Sequence, residues 1–279
     1  MAAACRILCP AKINLCLRVV RRRPDGYHDL VTVMQPLSLA DELTVHPGGP
    51  LRLECDAPGL PQGQANLVWQ AALKFGEATG APVTAHFRLH KKIPVAAGLG
   101  GGSSDAAGAL LALNTLAGEP LTAADLHRLA SGLGADVPFF LRREPQVGRG
   151  IGTELSPIFL PPYWYLLLNP GVQLSTRWVY ENLDLERLPT GTENGNWNAA
   201  RPDEWIRNDL AAVALKRVPE LAELLARLGE LGAKAKGLSG SGPTIFGIFS
   251  TREAALEAGR SLRPAFSGWL AVAQGLTGQ

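Results

Sequence analysis

Apolar and polar residues alternate along the N-terminal part of the chain, from residue 6 to residue 20. Successive side chains of a strand point to opposite faces, so this period of two predicts a half-buried β-strand. The turn-forming run Pro-Asp-Gly follows at 24–26. Residues 30–34 and 42–46 contain Val, Leu and Thr, and they are predicted to form two more strands.

Other segments have apolar residues at the spacing of one helix face. Asn66 is placed to cap a helix that runs to about Thr79. A capping-box pattern at Thr122 opens another helix, which Gly134 is placed to end. Pro219 begins a leucine-rich segment, which predicts a further helix near the C-terminus.

Alternating or apolar runs at 83–89, 163–168 and 244–249 predict additional strands. Helices and strands are thus mixed without the strict alternation of a doubly wound parallel sheet, and the pattern favours an α+β fold. Residues 190–204 are rich in Gly, Asn, Thr and Pro, which predicts an exposed loop.

Composition narrows the class of protein. The chain has 279 residues, 46% of them apolar, and its formal net charge of +2 gives no reason to expect a nucleic-acid or membrane surface. Its four cysteines form no Cys-x-x-Cys pair, which indicates reduced thiols without a zinc site. Arg6 and Lys12 interrupt the first apolar stretch, so it does not resemble a signal peptide. We expect a cytoplasmic protein.

The glycine-rich stretch from Gly98 to Ser104 precedes an Ala/Leu-rich run that ends near Ala117. Glycines allow close backbone approach, and the start of a helix offers N–H groups to an anion, so this stretch predicts a phosphate site. No Lys follows the glycines, which excludes a Walker A loop, and Ser103 replaces the last glycine of the dinucleotide pattern. The alternative is a plain flexible turn.

Three further features stay ambiguous when each is considered alone. The second glycine-rich run, Gly237–Gly242, fits a phosphate nest or an ordinary helix-to-strand turn. Lys12 fits a solvated position on a strand, and Asp136 fits a turn after a helix. Ser103 and Ser104 can cap the helix, donate to a phosphate or face Mg²⁺, and the residue pattern does not choose among these roles.

Three motifs together resemble the GHMP small-molecule kinase superfamily, namely Pro10–Leu15, Pro94–Ala107 and Leu238–Pro243. The resemblance implies a two-domain α+β fold with the active site in the cleft between domains. It implies an ATP-binding N-terminal domain, 1–157, and a GHMP-kinase C-terminal domain, 158–279, that contributes to substrate binding. It also implies ATP as phosphoryl donor and Mg²⁺, with no particular metal ligand indicated.

Further motifs, at 25–28, 100–104, 134–138 and 208–210, narrow the resemblance. They are similar to the branch of the superfamily that phosphorylates the 2-hydroxyl of 4-diphosphocytidyl-2-C-methyl-D-erythritol on the non-mevalonate route to isoprenoid precursors. One departure is Arg21, which stands where that branch usually has glycine. The alternatives are a kinase for another small alcohol, such as homoserine or mevalonate, and a nucleotide-binding protein without catalysis.

The resemblance also implies site residues. Asp136 would accept the hydroxyl proton, and Lys12 would lie near the same hydroxyl and the γ-phosphate. The implied ATP-binding residues are Asn66, Pro94, Val95, Ala96, Ala97, Gly98, Leu99, Gly100, Gly101, Gly102, Ser103 and Ser104. The implied substrate-binding residues are Asn14, Tyr27, His28, Tyr180, Gly240 and Ser241, with the aromatic ones at the cytosine end. The oligomeric state is left open.

Overall fold

The structure, a computed structural model, describes residues 3–188 and 197–278. The chain divides into two compact units. The first unit contains Leu39–Val95 and Gly100–Arg143 with the N-terminal stretch through Ala11, and the second contains Lys12–Ser38, Ala96–Leu99 and the chain from Glu144 onward. These units are interleaved in sequence and do not follow the predicted boundary after residue 157, so that domain division stays a prediction.

The strands of the described residues are β1 (Cys5–Arg22), β2 (His28–Pro47), β3 (Arg52–Cys55), β4 (Ala85–His90), β5 (Gln146–Arg149), β6 (Glu154–Pro157), β7 (Trp164–Asn169), β8 (Arg207–Asn208), β9 (Ala235–Leu238), β10 (Ile245–Phe249) and β11 (Trp269–Gln274). The α-helices are α1 (Leu67–Thr79), α2 (Gly101–Leu116), α3 (Ala123–Ser131), α4 (Thr176–Glu181), α5 (Ala211–Arg217), α6 (Glu220–Glu230) and α7 (Arg252–Leu262). The predicted α+β class is confirmed.

In the first unit, β4 lies between β3, which is parallel to it, and the last part of β2, which is antiparallel. Helix α1 begins after Asn66, whose side-chain oxygen accepts a hydrogen bond from the Val68 N–H at 2.9 Å. It ends at Thr79, as the sequence predicts. Helix α1 also packs against α2.

Helix α3 has the predicted capping box, in which the Thr122 and Asp125 side chains bond to each other's backbone N–H groups. The predicted end at Gly134 is wrong, because the helix ends at Ser131. Leu133 and Gly134 both donate their N–H groups to the Ala130 carbonyl, at 3.0 and 3.3 Å, so these residues form a turn beyond the last helical residue.

The two strands predicted at 30–34 and 42–46 are one continuous strand, β2. Its partner changes along its length, since residues 32–34 pair with β5 and residues 42–47 pair with β4. The apolar pattern is interrupted between these stretches partly by Asp41, which is fully buried. A buried carboxylate inside a strand is rare, which is why the sequence pattern predicted two separate strands here.

In the second unit, β11, β7, β10 and β9 form an antiparallel sheet in that order. Helix α6 follows Pro219, as predicted, and buries Leu221, Leu224 and Leu228 in a core that also includes Leu166 and Ile245. This apolar core supports the β9–β10 connection, where the second glycine-rich run lies.

Part of the exposed loop predicted at 190–204 lies outside the described residues. Within the described part, Pro202–Glu204 form a 3₁₀ turn. None of the helices in the described ranges has the length and apolar character that crossing a membrane requires.

Candidate active site

The first feature of the site is a buried lysine in the second unit. Lys12 lies on β1 and is only 4% exposed, so the interpretation of a solvated lysine is wrong. Its ammonium donates a hydrogen bond to the Asn14 side-chain oxygen at 2.6 Å. Residues two apart on a strand point to the same face, which is why the alternating pattern brings these two side chains together.

Asn14 is held at three of its atoms. Besides accepting from Lys12, it donates its side-chain NH₂ to the Thr32 hydroxyl at 2.8 Å and its backbone N–H to the Ser239 hydroxyl at 3.2 Å. The Ser239 hydroxyl in turn donates to the Gly98 carbonyl at 2.9 Å. These bonds join β1, β2 and both glycine-rich segments of the second unit.

Residues Ala96–Leu99 are the part of the first glycine-rich loop that belongs to the second unit, and backbone hydrogen bonds hold them there. The Leu99 carbonyl accepts from the Lys12 N–H at 2.9 Å, and the Ala97 carbonyl accepts from the Thr244 N–H at 3.3 Å. Gly98 has a φ of +76°, and a Cβ there would lie 2.5 Å from the Ser239 carbonyl oxygen. Gly98 is therefore required by packing within the protein itself.

The second glycine-rich run connects two strands, β9 and β10, and is not a helix-to-strand turn. A Cβ on Gly240 would lie 3.3 Å from the Asn14 side-chain oxygen and 3.8 Å from the Lys12 ammonium nitrogen. The Asn208 side chain donates to the Gly240 carbonyl at 2.7 Å, and Ser241 shares a hydrogen bond with Thr176 at 2.8 Å. The turn thus borders the buried lysine.

The remaining part of the first glycine-rich loop begins α2, in the first unit. Gly100 precedes the helix with a φ of +72°. Gly101 is confined, because a Cβ there would lie 3.2 Å from the Lys91 ammonium. Gly102 is exposed, and a Cβ there would meet only one Leu67 methyl, at 3.8 Å. Within the described residues, the buried Ser104 hydroxyl has no hydrogen-bond partner.

Sequence reasoning missed an ionic cluster next to this helix start. The Lys91 ammonium bonds to Asp41 and, at 2.6 Å, to Asp105, and all three side chains are at most 7% exposed. Burial raises the pKa of Asp105 to about 7, while Lys91 opposes that shift and Asp41 adds to it. Asp105 stands immediately before the Ala/Leu-rich part of α2, and its position next to that apolar run was the signal in the sequence.

Tyr180 stacks on His28 in the second unit, with ring centroids 5.0 Å apart and an interplanar angle of 26°. Burial, reinforced by the charge of Arg22, lowers the pKa of His28, so the ring is neutral near pH 7. Tyr27 is 60% exposed, and Arg21 forms an ion pair with Asp29 at 2.6 Å. An exposed tyrosine beside a stacked pair of rings offers flat faces to a ligand.

Two further predicted site residues, Asn66 and Asp136, belong to the first unit. Asp136 is partly buried in the turn between α3 and the 3₁₀ turn Pro138–Leu141. Asn66 uses its side-chain oxygen to cap α1 and donates its NH₂ group to the Pro61 carbonyl at 2.8 Å. The structure therefore shows a structural role for Asn66, and its ATP-binding role stays a prediction.

Two family models match the chain. The model of the GHMP kinases N terminal domain matches residues 66–144, and the GHMP kinases C terminal model matches residues 196–267. A relative from Syntrophotalea carbinolica, named 4-diphosphocytidyl-2-C-methyl-D-erythritol kinase, is 42% identical over 271 residues, which cover 95% of this chain and 96% of the relative. The chain belongs to the 4-diphosphocytidyl-2-C-methyl-D-erythritol kinase family. It is a small-molecule kinase of the GHMP type, and GHMP kinases use ATP as phosphoryl donor.

Solved structures agree with this family. A crystal structure of 4-(cytidine 5'-diphospho)-2C-methyl-D-erythritol kinase superposes with a TM-score of 0.86 at 38% identity, covering 97% of this chain and 99% of that one. A homoserine kinase from Cytophaga hutchinsonii superposes with a TM-score of 0.75 at 19% identity, covering 100% of this chain and 96% of that one, which shows the shared fold alone.

Groups of three or more His, Cys, Asp or Glu side chains that could hold a metal ion are absent from the described ranges. A metal ion carried by nucleotide phosphates needs few protein ligands, since Mg²⁺ keeps several waters and binds phosphate oxygens.

Proposed function

We propose that this kinase transfers the γ-phosphate of ATP to the 2-hydroxyl of 4-diphosphocytidyl-2-C-methyl-D-erythritol, in the synthesis of isoprenoid precursors. Two relatives that cover nearly the whole chain carry that substrate in their names. The observation within the structure that carries the proposal is the buried Lys12 ammonium, held by Asn14 beside two glycine-rich segments. Such a fixed cation suits a reaction in which charge develops on phosphate oxygens.

In this proposal, three residues act on the acceptor hydroxyl and the phosphate that it receives. Asp136 accepts the proton of the attacking hydroxyl, Lys12 stabilises charge on the transferred group, and Asn14 orients the acceptor. The support for Asp136 is its position in the family motif Gly-Ala-Asp-Val-Pro. The support for Asn14 is its fixed geometry, because three hydrogen bonds hold its backbone and side chain.

In the same proposal, ATP binds at the start of α2. Residues 100–104 would bind the ATP phosphates through backbone N–H groups that point out of the first helical turn. The support is Gly102, which is exposed and has no packing reason to be glycine. Mg²⁺ would reach the site with ATP and offset phosphate charge there.

The cytidine part of the substrate would bind to Tyr27, His28 and Tyr180. The stacked His28–Tyr180 pair supports this assignment, since aromatic faces stack on nucleic-acid bases. Ser241 and Gly240 would complete the substrate site from the β9–β10 turn. A cytoplasmic location is part of the same proposal, supported by the four cysteines, which are thiols and not disulfides.

The deciding experiment measures ADP release from Mg²⁺-ATP with three acceptors offered separately. These are the cytidine compound, homoserine and mevalonate. We expect turnover with the cytidine compound alone, at about 1–100 s⁻¹. Turnover on another acceptor instead would overturn the assignment of Tyr27, His28 and Tyr180. ATP binding without turnover on any acceptor would favour a nucleotide-binding protein without catalysis.

A further inference from the structure

Thr32 is not among the site residues assigned above, but its hydroxyl bonds directly to one of them, Asn14. That hydroxyl makes two hydrogen bonds. It donates to the Cys16 carbonyl at 2.8 Å and accepts from the Asn14 side-chain NH₂ at 2.8 Å. Thr32 is 3% exposed, and Asn14 is 4% exposed. Water therefore has little access to either group.

A hydroxyl has one proton and two lone pairs. Because the Thr32 proton is used on the Cys16 carbonyl, only lone pairs face Asn14. A side-chain amide has a donor end and an acceptor end, so the donor end of Asn14 must meet Thr32. The acceptor end then faces the Lys12 ammonium, at 2.6 Å.

The opposite orientation of the amide is unfavourable at both ends. It would place the Asn14 oxygen against the lone pairs of Thr32 and the NH₂ group against a buried ammonium. Leaving one end of a buried amide unpaired costs about 1–3 kcal/mol. The Thr32 hydroxyl therefore favours the same amide orientation that the Lys12 ammonium favours.

We propose that Thr32 is a positioning residue for phosphoryl transfer, which sets the orientation of the Asn14 amide and, through it, the place of the Lys12 ammonium. This inference rests on the proposed function, in which Lys12 acts on the transferred group. Thr32 itself touches neither the acceptor nor the nucleotide in the proposal. Its loss should therefore weaken the chemical step more than binding.

The test compares Thr32→Val, which keeps the shape and removes the hydroxyl, with Thr32→Ser, which keeps the hydroxyl. We expect Thr32→Val to lower kcat about 5–150-fold, the equivalent of one unpaired buried group, and to leave KM for ATP and for the acceptor nearly unchanged. Thr32→Ser should restore most of kcat. Thr79→Val is the control, because it also removes a threonine hydroxyl that donates to a backbone carbonyl, that of Phe75, and it should leave kcat unchanged.

Three results would overturn the inference. They are wild-type kcat in Thr32→Val, a loss that Thr32→Ser does not restore, and a rise in both KM values without a fall in kcat. If Thr32→Val does not fold, Thr32→Ser and Thr32→Ala make the same comparison, since they differ only by the hydroxyl. The acceptor in every assay is the compound that the wild-type enzyme phosphorylates. The test of Thr32 therefore does not depend on whether the proposed substrate is correct.

A readout without turnover separates this inference from the proposed function. The side-chain NH₂ protons of Asn14 can be followed by ¹⁵N NMR. We expect slow exchange with solvent in the wild type and in Thr32→Ser, and faster exchange in Thr32→Val. Equal exchange in all three proteins would show that Thr32 does not hold the amide, whatever the enzyme phosphorylates.

Discussion

Gly98 and Gly102 belong to the same glycine-rich stretch, and alanine substitutions should separate their roles. In Gly98→Ala, the new methyl group would lie 2.5 Å from the Ser239 carbonyl oxygen, on a backbone whose φ is +76°. The left-handed conformation costs a residue with a Cβ about 1–2 kcal/mol. Overpacking adds about 1–3 kcal/mol, so Gly98→Ala should lower the free energy of unfolding by about 2–5 kcal/mol.

Gly102→Ala should have the opposite effect on stability. The new methyl group would meet only the Leu67 side chain, at 3.8 Å, which is an ordinary contact. Alanine is favoured over glycine inside helices by up to about 1 kcal/mol, and Gly102 lies in the first turn of α2. The free energy of unfolding should therefore stay the same or rise slightly.

The same methyl group should interfere with ATP. If phosphate approaches the backbone at Gly102, the substitution displaces it from at least one N–H group. A hydrogen bond to a charged group contributes about 1.5–3 kcal/mol, so KM for ATP should rise roughly 10–150-fold. KM for the acceptor should change little.

The assays are urea unfolding followed by circular dichroism, and initial rates at varied ATP with saturating acceptor. Both variants and the wild type are measured in parallel. An unchanged KM for ATP in Gly102→Ala would refute phosphate binding at this helix start. A loss of stability in Gly102→Ala as large as that in Gly98→Ala would refute the packing argument.

Three further predictions concern other groups. Asp136→Asn should lower kcat about 10²–10⁴-fold through loss of the general base, as single-turnover rates would show, and wild-type kcat would exclude that role. Tyr180→Ala should raise KM for the cytidine acceptor by the equivalent of about 1–3 kcal/mol with KM for ATP unchanged. Equal effects on both substrates would indicate a role in folding. The pKa of Asp105 is raised from 3.8 to about 7, so its protonated form favours the folded state and that contribution is lost as pH rises from about 4 through about 7. Unfolding free energies across this range should fall in the wild type relative to Asp105→Asn, and a constant difference would contradict the shift.

The local elements of this protein follow closely from local sequence. Asn66 and Thr122 cap helices where they were expected to, because capping depends on a side chain and a backbone group only a few residues apart. The strand from residue 6 was predicted correctly as a strand, since the period of two extends over many residues. The prediction that it is half-buried is wrong, because residues 9–17 are all buried, including the polar side chains of Lys12 and Asn14. Errors arose at Gly134 and in the middle of β2, where a turn or a distant charged partner decided the outcome.

The site was predictable only in part. The glycine-rich stretch and the family motifs identify Lys12, Asn14 and Asp136 by resemblance. The sequence does not reveal that Lys12 is buried or that Thr32 orients Asn14, because those properties depend on β2 and the β9–β10 turn. The cluster of Lys91, with Asp41 and Asp105, was missed for the same reason.

The sequence alone determined the fold class, the helix caps and the family, since each of these is recorded in short runs of residues. The tertiary structure alone decided which glycines serve packing and which stay open to a ligand. Gly98 and Gly102 look equivalent in the chain, but the first faces the Ser239 carbonyl and the second faces solvent. The physical reason is that the role of a glycine depends on which atoms a Cβ at its position would touch. For Gly98 the first such atom belongs to Ser239, which is 141 residues away in the chain.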